Sequence, residues 1–186
     1  FKPGNEAAFE VNYSNLSTGN VPLAVYRFND INEFMSTYKS AINEGNGWTR
    51  YHSRNPITLA TEKKVFESNI PLETQSNVRF IRMPQKLDEG FYMADVLVNG
   101  EHRQAWFQVT PIASFSAISG TKTFIWLKDL SNGNSISEAE ISFDNGNMAK
   151  TDDNGVAMFN TPSQLIRDPK STDYYSSDLS HFYSVK

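Results

Sequence analysis

Apolar and polar residues alternate along most of the chain, and turn-forming residues break the alternation at short intervals. After Pro3-Gly4 come Phe9, Val11 and Tyr13, and Leu23 and Val25 then lead on to Tyr26 and Phe28. Period-2 spacing puts such residues on one face of an extended backbone, so these segments read as strands. Ile57 to Thr61, Lys64 to Glu67 and Val78 to Met83 repeat the pattern, each ending near Pro, Asn or Ser. The clearest hairpin runs from Phe91 to Val98, turns at Asn99-Gly100 and returns through Arg103, Ala105, Phe107 and Val109. A type I′ turn needs positive φ at both central residues, which Asn and Gly reach at low cost.

One segment has a different period. Ile31, Phe34, Tyr38 and Ile42 line one face of a helix, Asp30 and Glu33 supply an N-cap and capping box, and Gly45 or Gly47 provides a stop. The spacing predicts a single helix near residues 30 to 43, inserted between strands. The polar stretch from Asn43 to Asn55 reads as a mobile loop.

Pro111 closes the hairpin region and a new β pattern begins at Phe115, which predicts a boundary near residues 110 to 113. Beyond it, strands at Thr123 to Lys128, through Ala139, Ile141 and Phe143, at Met148 to Thr151 and at Val156 to Phe159 are separated by turns. Those turns are Ser131-Asn132-Gly133, Asp144-Asn145-Gly146 and Asp152-Asp153-Asn154-Gly155. Short strands between regular Gly turns suggest a β-sandwich. The expectation is an all-β chain of two immunoglobulin- or fibronectin-III-like sandwiches, residues 1–111 and 112–186, with one short helix in the first. After Asn160 the chain is polar, with only Leu179, Phe182, Tyr183 and Val185 offering a late strand, so the second domain reads as cut short at its C-terminus.

Composition narrows the chemistry. Of 186 residues 39% are hydrophobic and 13% aromatic, enough for one generous core or two small ones, which excludes a disordered chain. Seventeen Lys and Arg against 21 Asp and Glu, with no dense basic run, argue against a nucleic-acid partner. No stretch approaches the roughly 20 apolar residues of a membrane-spanning segment. The absence of cysteine removes disulfides, thiolate nucleophiles and Cys-ligated metal centres. The chain opens on Phe1 without a signal peptide and reads as a processed chain or an excised fragment.

Individual motifs carry little catalytic promise. His52, His102 and His181 lack metal-site spacing and read as surface or packing residues. Asp152-Asp153-Asn154-Gly155 has half the look of a calcium loop but lacks its alternating oxygens and distal Glu, and reads as a hairpin turn. Ser36-Thr37-Tyr38-Lys39 matches S-x-x-K and is followed by Ser53-Arg54-Asn55, yet Lys122-Thr123 continues into Phe124 instead of the Gly of K-T-G. No nucleophile elbow, P-loop or dinucleotide-binding glycine pattern is present. Trp48, Tyr51, Tyr174, Tyr175 and Tyr183 lie in polar stretches, where rings either stack on sugars or peptides or fold back onto a sandwich end. Trp106 and Trp126, inside strong strands, are expected to be mostly buried. Asn12-Tyr13-Ser14 and Asn15-Leu16-Ser17 match the glycosylation sequon. No catalytic, cofactor-binding or metal-ligating residue is expected, no cofactor is implied, and ligand-binding residues stay unassigned.

Several blocks taken together resemble the macroglobulin (MG) domains in the N-terminal half of bacterial alpha-2-macroglobulin-like proteins. Phe1-Lys2-Pro3-Gly4-Asn5-Glu6 resembles the family's F-x-P-G-E opening, and Val25-Tyr26-Arg27-Phe28 its strand before a short helix. Leu87-Asp88-Glu89-Gly90-Phe91-Tyr92 is similar to the L-x-x-G-x-Y before a central strand, with Gln104-Ala105-Trp106-Phe107-Gln108-Val109 as its return. Phe124 to Gly133, then Ala139-Glu140-Ile141 and Thr151-Asp152-Asp153-Asn154-Gly155-Val156, resemble the next domain. Ser135 stands where the family usually has Pro. The family's reactive parts, a thioester Cys-Gln pair and a cleavable bait segment, lie outside these domains, so no functional residue carries over.

The resemblance implies non-catalytic scaffold domains of a bacterial protease inhibitor of the cell envelope, periplasmic or at the cell surface. Its partners would be neighbouring domains of the parent chain and, through the full-length protein, proteases. The alternative is a cell-surface adhesin or carbohydrate-binding β-sandwich module.

Overall fold

The computed structural model describes residues 1–11, 19–43, 56–75, 78–143, 146, 148–161 and 183–185. The expectations for Tyr13, the two sequons, the loop after Asn43 with Trp48, Tyr51, His52 and Ser53-Arg54-Asn55, the Asp144-Asn145 half of its turn, and Tyr174, Tyr175, Leu179, His181 and Phe182 lie outside the described residues, as does the side chain of Tyr183. The chain divides into two compact units, Phe1–Thr110 and Pro111–Lys186. It is mostly strand, with one α-helix among the described residues.

The first unit contains β1 (Ala8–Glu10), β2 (Asn20–Arg27), α1 (Ile31–Asn43), β3 (Lys64–Gln75), β4 (Val78–Arg82), β5 (Gly90–Val98) and β6 (Glu101–Val109). Its strands form an antiparallel sheet in the order β1-β4-β3-β2-β5-β6. Strand β3 serves both halves: residues up to Pro71 pair with β2, and Leu72 to Gln75 pair with β4. Pro71, which has no N–H to offer a ladder, stands where the strand changes partner. The sheet closes over its own apolar face, since Phe9 of β1 and Phe107 of β6, at opposite ends of the strand order, pack edge to face at 5.1 Å. Leu23, Val25, Ile81, Met83, Tyr92 and Val109 are buried between the halves.

The L-x-x-G-x-Y block is a corner that locks β5 in place. Tyr92 Oη donates to the carbonyl oxygen of Asp88 at 2.8 Å. Arg27, from the end of β2, lies over the Tyr92 ring at 5.8 Å and donates to the carbonyl oxygen of Glu89 at 2.9 Å. Burial pushes the Tyr92 hydroxyl pKa upward. The following β5–β6 hairpin turns on Asn99 and Gly100, with φ of 50° and 80°, as its sequence demands.

Helix α1 covers the other face of the β2-β5-β6 half. Asp30 Oδ1 accepts the N–H of Glu33 at 2.9 Å, and Glu33 Oε2 reaches back to the N–H of Asn29 at 2.8 Å. Phe34 and Tyr38 then pack onto Trp106, and Phe34 also meets Phe28 and Phe91. Beneath the helix Met93 is fully buried. The expected strand from Ile57 to Thr61 is not formed: residues 56–60 have no regular structure and Thr61–Lys63 make a single 3-10 turn. Two groups take the place of a ladder there. Gln104 bonds the backbone of Ile57 with its side chain, and Lys63 ion-pairs with Glu33 at 2.5 Å.

The second unit contains β7 (Ile112–Ile118), β8 (Lys122–Asp129), β9 (Glu140–Phe143), β10 (Met148–Lys150), β11 (Val156–Asn160) and β12 (Tyr183–Val185). These form two three-stranded antiparallel sheets, β11-β8-β7 and β10-β9-β12. Ile125, Leu127, Ala139, Ile141, Phe143 and Ala157 make the core between them. Thr151 is buried without polar cost because its Oγ1 accepts from Ala139 N–H at 2.9 Å and donates to the Ile136 carbonyl oxygen at 2.7 Å.

Candidate functional site: an exposed aromatic sheet face

Strand alternation decides which side chains of β8 meet the core. Thr123, Ile125 and Leu127 are buried, so Lys122, Phe124, Trp126 and Lys128 point the other way. The ladder sets Phe115 of β7 and Val156 of β11 beside Trp126, and Ala117 and Met158 beside Phe124. The result is two apolar rows across three strands. They are open to solvent: Phe115 is 65% exposed, Met158 56%, Trp126 44% and Phe124 41%.

The expectation that Trp126 is mostly buried is therefore wrong. Its strand has apolar residues on both faces, but only one face lies against the core of this unit. Trp106 is partly buried, as the ring on which Phe28, Phe34 and Tyr38 converge. What the sequence reading missed is the pair of open rows. The available signal was Phe124-Ile125-Trp126-Leu127, apolar on both parities, in a unit too small to bury both faces of a sheet.

The Trp126 ring is held in place. Its Nε1 donates to the carbonyl oxygen of Asn154 at 3.1 Å, and Lys128 Nζ sits 4.9 Å from the ring centroid while donating to the Gly133 carbonyl oxygen at 3.1 Å. At the other end of the strand Lys122 Nζ donates to Asn160 Oδ1 at 2.8 Å. A shallow open groove of about 360 Å³ runs along one side, lined by Ala113, Phe115, Trp126, Lys128 and Leu130 among others. Fixed rings carry little rotamer entropy to lose, so such a face is suited to an apolar contact.

The remaining sequence candidates have structural roles. Asp152 Oδ1 accepts the N–H of Val156 and of Asn154, both at 2.9 Å, and these bonds hold its carboxyl below the ordinary value. The turn thus uses the carboxylate to fix its own backbone. Gly155 is required there, with φ of 74° and a Leu127 carbonyl oxygen 2.6 Å from where a Cβ would sit. Ser36 Oγ donates to the Glu33 carbonyl oxygen of its own helix at 3.0 Å. His102 Nδ1 lies 2.9 Å from Asp95 Oδ1 across the β5–β6 hairpin, with the Gln104 amide 3.4 Å from the same carboxyl group. Among the described residues no group of three or more His, Asp or Glu could hold a metal ion, and no helix is long and apolar enough to cross a membrane.

No protein-family model matches the sequence, and no curated protein matches it. Solved structures do match by fold. Native alpha-2-macroglobulin from Escherichia coli spanning domains NIE-MG1 superposes with a TM-score of 0.52 at 17% identity, over 80% of this chain and 76% of that one. The longer MG0-NIE-MG1 piece of the E. coli protein gives a TM-score of 0.52 at 16% identity, over 80% of this chain and 50% of that one. The chain therefore has a macroglobulin-like β-sandwich fold, shared with these domains of a bacterial alpha-2-macroglobulin.

Proposed function

We propose that the two units are consecutive macroglobulin-like domains, divided near residue 111, that serve as a non-catalytic scaffold in a bacterial alpha-2-macroglobulin-like protease inhibitor of the cell envelope. The likeness of fold over 80% of the chain to a multidomain piece of the E. coli protein is the observation that carries this reading. On it, the partners are neighbouring domains of a longer polypeptide, and proteases are engaged only through the intact parent. Covalent capture needs an activated acyl group, and catalysis needs a nucleophile next to a base. The chain has no Cys for a thioester, and Ser36 of the S-x-x-K motif spends its hydroxyl proton on its own helix.

The second reading, a sugar-binding surface module, draws on exposed Trp126 and Phe115. Sugar platforms pair a ring with hydrogen-bonding side chains, whereas Trp126 and Phe124 are flanked in the ladder by Val156, Met158 and Ala117. The scaffold reading is favoured. It is tested by titrating the purified chain and the intact parent against several endopeptidases with protein substrates. The parent should restrain the proteases and the 186-residue chain should not. Stoichiometric inhibition by the chain alone, turnover abolished by Ser36→Ala or Lys39→Ala, or a parent without effect on any protease would overturn it. Glycan-array binding lost in Trp126→Ala would favour the module.

A further inference from the structure

We infer that the open face of the β7-β8-β11 sheet is a docking surface for another domain of the same polypeptide, one lying outside these 186 residues, whose contact patch is apolar at its centre and acidic at its rim. The inference rests on the scaffold reading in one respect, that the parent has further domains. The choice of face and of partner chemistry comes from the face itself.

Phe115, Phe124, Trp126 and Met158 are each more than two-fifths exposed on three adjacent strands. Scattered exposed apolar residues are ordinary, whereas these four are aligned by the ladder into one continuous apolar strip. Charge then selects the partner. The outward residues of β8 are Lys122, Phe124, Trp126 and Lys128, so a cation closes each end of the apolar rows. The outward residues of β7 and β11 are Ala113, Phe115, Ala117, Val156, Met158 and Asn160, with no carboxylate among them, and Asp129, which lines the groove beside Lys128, spends its carboxylate on Ser131 and Asn132 of its own turn. A complementary patch presents Asp or Glu opposite the two lysines. A second copy of the same face would set lysines against a surface whose one groove-lining acid, Asp129, is already bonded within its own turn.

Size points the same way. Three strands and two apolar rows span about 200 Å², or about 400 Å² with the lysine rows, from strand spacing and rise alone. A stable dimer between free proteins takes about 800 Å² per partner. A contact this small is sustained when the partner is tethered on the same chain, where effective concentration replaces area.

The test uses the intact parent carrying Phe115→p-benzoylphenylalanine, irradiated and analysed by peptide mass spectrometry. The expected product is an intrachain crosslink to an apolar peptide flanked by Asp or Glu, outside residues 1–186. Adding Lys128→Glu should lower its yield about fivefold, the size of effect a lost charge contact supplies. The Phe115→Ser/Met158→Ser double variant should leave the melting temperature of the 186-residue chain nearly unchanged while lowering that of the parent. Crosslinks between two copies, crosslinks to added phosphatidylglycerol vesicles, or none at all would overturn the inference. A parent that gives the intrachain crosslink but restrains no protease would remove the inhibitor reading and leave the docking surface standing.

Discussion

The carboxamide of Gln104 makes both hydrogen bonds of a β-bridge with the backbone of Ile57: Oε1 accepts the Ile57 N–H at 2.9 Å and Nε2 donates to the Ile57 carbonyl oxygen at 2.7 Å. The carboxamide stands on the face of the sheet, 3.4 Å from Asp95 of the neighbouring strand β5, so one side chain ties the segment at Ile57 to that face. Gln104→Ala should therefore release the segment at Ile57, costing about 2 kcal/mol for two partly buried bonds. Gln104→Glu should be at least as harmful, because it loses the donor and sets a second carboxylate beside Asp95. Hydrogen exchange at the Ile57 amide is the direct readout, and unchanged protection in both variants would show that the bonds do not hold the segment.

Trp106 and Trp126 should respond differently to truncation. Trp106→Ala removes the ring on which Phe28, Phe34 and Tyr38 meet and should cost about 3 kcal/mol. Trp126→Ala in the same chain should cost about 1 kcal/mol or less, since nearly half of the residue is already in water. Urea titration of both variants measures the difference. Equal costs would mean that Trp126 is covered.

Gly155 and Gly133 share a left-handed backbone, with φ of 74° and 77°, but not the same surroundings. Gly133→Ala meets no atom within 4 Å and should cost about 1 kcal/mol of backbone strain. Gly155→Ala also drives a methyl to 2.6 Å from the Leu127 carbonyl oxygen and should cost about 3 kcal/mol. Denaturation midpoints separate the two, and a Gly155→Ala variant as stable as Gly133→Ala would show that the turn can move aside.

Acid should weaken the turn at Asp152. Backbone N–H bonds from Val156 and Asn154 stabilise its ionised form, so its pKa in the folded chain lies below the ordinary 3.8. A depressed carboxyl contributes stability above 3.8 that is lost as pH falls through the lower folded value. Glu33, held down by the bond from Lys63 and the Asn29 N–H, acts with the same sign from its ordinary 4.5. Asp152→Asn should flatten the acid limb of the stability curve while leaving the Glu33 part. An unaltered acid limb in that variant would remove Asp152 from the account.

How much of this could be seen in the sequence depends on how local the cause is. The helix was legible because its cap, its period and its apolar face all lie within residues 30 to 43. The Asn99-Gly100 hairpin was legible because two adjacent residues impose its geometry. Strand Lys64–Gln75 was read only as far as Glu67, since its polar residues and Pro71 look like a turn until the change of partner from β2 to β4 is seen. The segment after Pro56 looked like a strand because its alternation is real, but its partner is a side chain 47 residues away.

The sequence by itself determined the all-β class, the helix over residues 31–43 and the exclusion of cysteine chemistry, because periodicity, turn residues and the lack of cysteine act over a few positions or over none. Tertiary structure alone decided that Arg27 lies over Tyr92, joining two motifs that are 65 positions apart. It alone decided that the rings of Phe115, Phe124 and Trp126 face water. Alternation names the two faces of a strand, but which face meets a core depends on what the rest of the chain places over it.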